Sequence, residues 1–262
     1  MRVLLCGYHE AGYRALRTLI TRGHEVIVAT HLTPPGIPSL ADLARWQRIP
    51  FVEDSPDELC DTARAFRPDI IFSVYYRTVL PADMLDLAPR GAFNFHPSLL
   101  PKHAGCFSAV WAIIDGDRTT GVTCHRMTRQ VDGGDIVDTL PVPIQNTDTG
   151  MSLYYQLVDA TAIVFDRVLH QAEHTPLITR PQQGVRSYHP REVPQGGAVD
   201  PYWPRDRIER FIRALYFPPY EPAHVVLDGR RHPVRNIDEY DRLLRPTHTK
   251  PEREHTLSTA PS

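Results

Sequence analysis

The sequence of 262 residues has few cysteines and no long apolar run. Its four cysteines, Cys6, Cys60, Cys106 and Cys124, include no Cys-x-x-Cys pair, so neither a zinc ribbon nor a disulfide scaffold is indicated. No stretch of about 18 apolar residues occurs, and the apolar start is too short for the core of a signal peptide. We therefore expect a soluble, cytoplasmic protein with reduced thiols.

Lysine and net charge are also scarce. Only Lys102 and Lys250 are lysines, and the formal net charge is -2 at pH 7. A chain of this charge has no overall electrostatic attraction to nucleic acid or to a membrane surface. The segment 184–246 contains 11 arginines against nine acidic residues, a balance too even for the basic stripe of a tRNA-binding protein. We expect neither a membrane nor a nucleic-acid partner.

Strand and helix patterns alternate over the first two thirds of the chain. Short apolar runs predict buried strands, and the stretches between them predict helices. The predicted strands are 3–6, 26–29, 70–74, 92–95, 121–127 and 136–144. The predicted helices are 12–21, 40–46, 57–66, 105–115 and 152–171. This order indicates an α/β fold with a Rossmann-like, mostly parallel sheet and flanking helices, which we assign to residues 1–183.

The last third of the chain changes in composition. Prolines and glycines are frequent in 176–204, which predicts a linker or extended loops. A short helix over 208–215 and a β-hairpin over 224–234 predict a small C-terminal module within 184–246. The polar tail 247–262 has no apolar periodicity, so we expect it to be disordered.

Three polar residues stand out in the segments Phe93-Asn-Phe-His-Pro-Ser-Leu-Leu-Pro101 and Val131-Asp-Gly-Gly-Asp-Ile136. Asn94 and His96 share one face of a strand end, because successive side chains of a strand point to opposite faces. An Asn amide can donate to the oxyanion of a tetrahedral intermediate, and a His can carry a proton near neutral pH. Asp132 can fix the tautomer of the imidazole, and we expect it to raise the pKa of His96. The three groups suit the transfer of an acyl unit to an amine.

These two segments resemble the signature of the folate-dependent formyltransferase family, which includes glycinamide ribonucleotide, methionyl-tRNA and amino-sugar formyltransferases. In that family the matching Asn, His and Asp are the catalytic triad, so the resemblance implies this role for Asn94, His96 and Asp132. It also implies the formyltransferase fold and N10-formyltetrahydrofolate as the co-substrate. The segments 188–194 and 211–219 look like the short tail module of sugar N-formyltransferases.

The resemblance extends to binding of the folate. The segment Ser73-Val-Tyr-Tyr-Arg-Thr-Val-Leu80 leaves a predicted strand, and the matching loop of the family presents main-chain groups to the pterin ring. On the residues alone, Tyr75 and Tyr76 are more typical of core aromatics. With the glycine turn included, the implied cofactor-binding residues are Arg77, Thr78, Val79, Leu80, Gly133 and Asp135.

The candidate acceptor-binding residues are Tyr8, His9, Ser98, Lys102 and His125. Tyr8 and His9 follow the first predicted strand in a loop similar to that of amino-arabinose formyltransferases, although an ordinary turn is the alternative. Lys102 can meet a phosphate as a mobile point charge. His125 either supports the site or is a core histidine. Many relatives have Tyr-Arg-Gly after this lysine, whereas this chain has His103-Ala104-Gly105 and so lacks one anion contact.

The predicted function is transfer of the formyl group of N10-formyltetrahydrofolate to the primary amine of a nucleotide-linked amino sugar, such as a 4-amino-4-deoxy sugar. The open alternatives are a methionyl-tRNA formyltransferase, an amino-acid or hydroxyornithine formyltransferase, a formyltetrahydrofolate hydrolase and a non-catalytic folate-binding domain. A homodimer is a candidate assembly. No metal site is predicted, because His170 and His174 share a helix face without a nearby carboxylate ligand.

Overall fold

A seven-stranded sheet forms the centre of the molecule. The computed structural model describes residues 1–244, and the predicted tail 247–262 lies outside them. The strands are β1 (Arg2–Gly7), β2 (Glu25–Thr30), β3 (Phe51–Glu53), β4 (Ile70–Val74), β5 (Ala92–His96), β6 (Ala104–Gly105), β7 (Thr119–Arg126), β8 (Ile136–Pro143), β9 (Tyr188–His189), β10 (His224–Leu227) and β11 (Arg230–Pro233). The main sheet has the order β3-β2-β1-β4-β5-β7-β8. Its first five strands are parallel, and β7 and β8 are antiparallel.

Helices cover both faces of this sheet. They are α1 (His9–Thr21), α2 (Leu40–Trp46), α3 (Pro56–Phe66), α4 (Ala82–Leu85), α5 (Ser108–Ile114), α6 (Gly150–His174), α7 (Arg205–Ala214) and α8 (Ile237–Leu244). Val3 and Leu5 of β1 belong to the larger apolar cluster, with α1, α2, α5, α6 and α7. Leu4 and Cys6 belong to the smaller cluster, with α3 and α4. This alternation is the period-2 pattern of a strand buried on both faces, and it confirms the predicted fold class.

The helix predicted over 105–115 is wrong in its first turn. Ala104–Gly105 form β6, and α5 begins only at Ser108. Gly105 and Phe107 have φ angles of +88° and +58°, which a right-handed helix excludes. Gly105 therefore belongs to a short strand and not to the first turn of a helix.

The segment 176–204 forms mostly extended loops, one of the two predicted alternatives, and adds one short strand to them. Within it, β9 pairs with β6 in parallel register, Ala104 beside Tyr188 and Gly105 beside His189. The short pairing joins residues more than eighty positions apart, so no local pattern signals it. The chain returns here to the region of the Asn94 motif.

The predicted C-terminal elements form close to their predicted bounds. A short helix, α7, and a hairpin, β10 and β11, are present, and α8 follows them without having been predicted. Phe211, Ile212, Val225 and Tyr240 join the same apolar cluster as the main sheet. The division into 1–183 and 184–246 stays a prediction. Within residues 1–244, no helix has both the length and the hydropathy required to cross a membrane.

Candidate active site

The candidate site lies at the carboxyl edge of the parallel strands. In the strand register Gly7 is beside Val74, and Val74 is beside Phe95. The residues that follow these three positions therefore emerge at one edge, where open α/β sheets bind ligands. They include Tyr8 and His96, so the predicted acceptor loop and the predicted triad lie at the same edge.

Asn94 and His96 project from β5 on the same face. Their neighbours on the antiparallel strand β7 are His125 and Thr123. Because directly opposed residues share a face of the sheet, His125 lies beside the Asn94 amide. The distance from Asn94 Nδ2 to His125 Nε2 is 3.3 Å. The alternation in the sequence thus predicted the shared face correctly.

Asp132 reaches these groups from the loop between β7 and β8. The φ angle of Asp132 is +49°. Two residues later, Gly134 allows a backbone approach that no side chain would permit, since a Cβ there would lie 1.9 Å from the carbonyl oxygen of Arg126. The Gln182 amide donates to the carbonyl oxygens of Asp132 and Gly134 at 2.9 and 2.8 Å. The loop is therefore held from two sides, by β7 and by the segment after α6.

The carboxylate of Asp132 lies close to both of the other predicted catalytic residues, Asn94 and His96. Its Oδ1 accepts from Asn94 Nδ2 at 3.2 Å and lies 3.3 Å from His125 Nε2. Its Oδ2 lies 3.4 Å from His96 Nδ1 and accepts from the Gly105 N–H at 2.8 Å. The structure therefore brings Asn94, His96 and Asp132 together and adds His125 to them.

The pKa of Asp132 is held well below the usual range. Burial raises this pKa, but the nearby imidazoles of His96 and His125 and the Gly105 N–H lower it by more. The carboxylate is therefore ionised at neutral pH. It accepts from the Asn94 amide and from the Gly105 N–H, and such donors stabilise a buried anion.

Burial lowers the pKa of His96 below its ordinary value of 6.5. Asp132 and the His103 carbonyl oxygen raise this pKa, but by less, because the His96 side chain is only about 5% exposed. The expectation of a raised pKa is therefore wrong in its net direction. At neutral pH the pair consists of a neutral imidazole and an ionised carboxylate.

The tautomer of His96 follows from its second contact. His96 Nε2 lies 2.8 Å from the carbonyl oxygen of His103, which can only accept, so Nε2 carries the proton. Nδ1 then presents its lone pair on the side of Asp132. A neutral imidazole held in this way can accept a proton at Nδ1. The sequence did not predict this role of the His103 carbonyl.

The predicted acceptor residues Ser98 and Lys102 already have partners within the chain. Ser98 is fully buried, and its hydroxyl donates to the carbonyl oxygen of Lys102 at 2.7 Å. The Lys102 ammonium forms an ion pair with Asp117, which also lies 2.9 Å from His103 Nε2. The lysine is half exposed but already paired with a carboxylate, so it is less suited to a substrate phosphate than the sequence predicts.

Tyr8 and His9 lie beside a cavity of about 330 Å3. His31, Asp54, Pro56, Tyr76, Arg77, Thr78 and Arg191 line this cavity. The Arg77 guanidinium lies 5.3 Å from the centre of the Tyr8 ring, and its positive charge, after burial, lowers the pKa of His9. The predicted acceptor loop and the predicted cofactor residue Arg77 are therefore neighbours.

Arg191 lines this cavity and also lies near Cys106. Its charge and that of Asp132 both act on the Cys106 thiol, whose pKa is raised mainly by burial. No carboxylate forms an ion pair with Arg77 or Arg191 in the described part of the chain. Sequence reasoning missed Arg191, because its segment had been predicted to be a linker.

Within residues 1–244, the segment from Thr78 to Leu80 has unpaired main-chain groups beside a buried leucine. Leu80 is buried, Val79 is 69% exposed, and among the described residues the main-chain groups of Thr78 and Val79 have no hydrogen-bond partner. Free N–H and C=O groups beside an apolar side chain can bind a ring that alternates donors and acceptors. Fewer main-chain groups of Gly133 and Asp135 are available to a ligand, since the Gly133 N–H donates to Gln130 and the Asp135 carbonyl oxygen accepts from Arg126.

Comparison with known proteins identifies the family. Residues 8–169 match the formyl transferase family. The chain belongs to this family. GDP-perosamine N-formyltransferase of Brucella melitensis is 36% identical over 250 residues, which cover 93% of this chain and 96% of the relative. The resemblance stated from the sequence and the assignment as a formyltransferase are thereby confirmed.

Two solved structures have the same fold. An N-formyltransferase from Helicobacter canadensis, in complex with folinic acid and dTDP-3-aminofucose, matches with a TM-score of 0.72 at 20% identity, over 87% of this chain and 85% of that chain. A 4-N formyltransferase from Francisella tularensis matches with a TM-score of 0.72 at 18% identity, over 89% and 96%. This formyltransferase thus shares its overall fold with these two N-formyltransferases.

Proposed function

We propose that this formyltransferase transfers the formyl group of N10-formyltetrahydrofolate to the primary amine of a GDP-linked 4-amino sugar. The observation that carries the proposal is the cluster of Asn94, His96 and Asp132 at the carboxyl edge of the sheet. The relative from Brucella, named for GDP-perosamine, supports the acceptor class. The folate analogue bound by the Helicobacter enzyme supports the donor.

Each of the three residues has a distinct task in this reaction. The acceptor amine attacks the formyl carbon, and negative charge develops on the formyl oxygen. Asn94 is the neutral N–H donor that stabilises this charge. Neutral His96 accepts the proton of the attacking nitrogen at Nδ1, and the ionised Asp132 stabilises the imidazolium that results. His96 then returns the proton to the leaving nitrogen of the folate.

The main chain prepares this arrangement before substrates bind. The His103 carbonyl oxygen fixes the His96 tautomer, and the Gly105 N–H and the Asn94 amide hold the Asp132 carboxylate. Groups that are already oriented need no reorganisation during the reaction. The free main-chain groups of Thr78 and Val79 receive the pterin ring, as the resemblance implies.

We assign the acceptor's diphosphate to Arg191 and to Arg77 at the 330 Å3 cavity, and so move Arg77 from the predicted folate-binding residues to the acceptor site. Both guanidiniums lack an ion-pair partner in residues 1–244, whereas Lys102 is paired with Asp117. Guanidinium groups bind phosphate oxygens through two parallel N–H donors. These arginines supply the anion contact that Ala104 cannot make. Tyr8 and His9, next to Arg77, then face the sugar.

A panel of amino-sugar nucleotides tests the proposal. The purified protein is incubated with N10-formyltetrahydrofolate and GDP-perosamine or dTDP-linked amino sugars, and mass spectrometry detects the addition of one formyl group. We expect the GDP-linked 4-amino sugar to give the highest kcat/KM. Formylation of a dTDP-linked sugar alone would overturn the nucleotide assignment and leave the amino-sugar class intact.

Two further measurements separate the alternatives. Formate released without any amine would identify a formyltetrahydrofolate hydrolase, and formylated amino acid or methionyl-tRNA would move the acceptor to another class. Folate binding without product from any amine would identify a binding domain. A homodimer and a cytoplasmic location stay predictions, which light scattering and cell fractionation test.

A further inference from the structure

We propose that His103, His189 and Asp115 form a binding site for a divalent transition metal such as Zn2+, outside the formyl-transfer chemistry. The potential ligand atoms of these residues lie within 4.8 Å of one another. Two imidazoles and one carboxylate are a donor set that suits Zn2+. His189 is far in sequence from His103 and Asp115, so the sequence alone gives no sign of the site.

The spacing of the two imidazoles agrees with metal coordination. His103 Nδ1 and His189 Nε2 are 3.1 Å apart. Two nitrogens on a tetrahedral Zn2+, each at about 2.0–2.1 Å, are about 3.3 Å apart. A shift of a few tenths of an ångström therefore replaces the contact between the imidazoles with a shared ion.

Neighbouring groups orient both imidazoles. His103 Nε2, the nitrogen that does not face His189, lies 2.9 Å from Asp117 Oδ2. Metal-binding histidines commonly donate their second N–H to a carboxylate, which fixes the ring and makes the other nitrogen a stronger ligand. The His189 ring stacks on Trp111, with ring centres 4.3 Å apart and planes inclined by 10°. Both rings are therefore held before an ion arrives.

Solvent reaches the site from one side. His103 is about 1% exposed, His189 is partly buried, and Asp115 is exposed at the end of α5. An ion can enter beside Asp115, and water can complete its coordination.

A bound ion would join two segments that support the catalytic groups. His103 precedes β6, and His189 lies in β9, the partner strand of β6. The same segment supplies the His103 carbonyl oxygen to His96 and the Gly105 N–H to Asp132. The metal would thus fasten β9 to β6 and stabilise the folded chain, because a ligand that binds only the folded state raises its stability.

Zinc titration of chelator-treated protein tests the proposal. The expectation that His170 and His174 lack a nearby carboxylate is wrong, since these residues and Glu173 form the other cluster of potential ligands in the described chain. The background variant is therefore His170→Ala with His174→Ala. Zn2+ alone is titrated against a chromophoric chelator, and unfolding temperature is recorded with and without Zn2+. We expect one equivalent to bind and to raise the unfolding temperature.

Substitutions of the proposed ligands decide the assignment. His189→Asn and the exposed Asp115→Asn should each weaken Zn2+ binding at least tenfold and abolish the rise in unfolding temperature. Asp117→Asn, which loses only the orienting carboxylate, should weaken binding about 10 to 100-fold. The exposed Asp57→Asn on α3 is the matched control and should bind Zn2+ normally. Unchanged affinity in Asp115→Asn and His189→Asn, or zinc binding that vanishes in the background variant, would overturn the site.

Discussion

The amide of Asn94 has two N–H groups, which face Asp132 at 3.2 Å and His125 at 3.3 Å. The second contact is long, and an oxyanion is a stronger acceptor that can replace it. Removing one donor of this kind typically costs about 2.7–4 kcal/mol of transition-state stabilisation. We therefore expect Asn94→Ala to lower kcat by roughly a hundredfold or more in a steady-state assay. Asn146→Ala, in an exposed turn, is the matched control, and equal turnover in the two variants would remove the oxyanion role.

His96 should titrate below the ordinary histidine pKa of 6.5. The reason is burial, which disfavours the imidazolium more than Asp132 favours it. NMR of histidine-labelled protein measures this pKa directly, and His96→Gln identifies the resonance. Asp132→Asn removes the charge that raises the His96 pKa, so the titration should move to still lower pH. A midpoint above 6.5, or an upward move in Asp132→Asn, would contradict the neutral base.

Arg191 is expected to act on acceptor binding more than on the chemical step. A lost hydrogen bond to a charged group costs about 1.5–3 kcal/mol, so Arg191→Ala should raise KM for the nucleotide sugar on the order of tenfold or more. The kcat should change little, because the phosphate contact is equal in the ground and transition states. Arg17→Ala, an exposed arginine on α1, controls for net charge. A changed kcat with normal KM would place Arg191 in the chemistry instead.

At the scale of elements, part of the side-chain arrangement of the candidate site could be predicted from the sequence, whereas the main-chain groups that support it could not. The proximity of Asn94, His96 and Asp132 could be predicted because a strand alternation and a glycine turn set their directions locally. The His103 carbonyl oxygen and the Gly105 N–H could not, since main-chain groups have no residue-type signature. The β6 and β9 pairing that carries them contains two residues per strand and depends on distant contacts.

Gly105 connects this strand pair to the catalytic carboxylate. Its φ is +88°, a Cβ there would lie 2.2 Å from the His189 carbonyl oxygen, and its N–H donates to Asp132. Gly105→Ala should therefore displace β9, lower the unfolding temperature and reduce kcat. Gly36→Ala is a close match, with φ of +84° and no atom near its Cβ position, so it should show only the conformational cost of about 1 kcal/mol. Similar losses of activity in both variants would exclude the steric argument.

At the scale of the whole molecule, the main sheet could be predicted from the sequence. The packing of the last third of the chain against it could not. Buried runs such as Ile70–Val74 identify strands because the sheet is covered on both faces. The segment with Gln182, His189 and Arg191 has no such pattern, yet it contacts the catalytic loop, β6 and the cavity. Its placement depends on side chains that meet only after the sheet has formed.

The same burial that sets the state of His96 predicts how stability depends on pH. The pKa values of His9, His96, His189 and His224 are all lowered from 6.5, each mainly by burial. Between the folded values and 6.5, the unfolded chain binds more protons than the folded chain, so stability decreases as pH falls through this window. The carboxylates with lowered pKa, such as Asp132, lose their contribution only at lower pH.

We therefore expect the urea midpoint of unfolding to fall between about pH 7.5 and about pH 5.5, most steeply below 6.5. The measurement is made with a chelator present, so that a bound metal does not prevent His189 from binding a proton. His224→Gln, far in sequence from the Asn94 motif, removes one of the four histidines with a lowered pKa. It should reduce the slope of the urea midpoint against pH, while the midpoint still falls on acidification. A urea midpoint that is constant or rises on acidification over this range would contradict the prediction. It would show that these imidazoles titrate in the folded protein as they do in the unfolded chain. The neutral His96 required for proton transfer would then lose its physical basis.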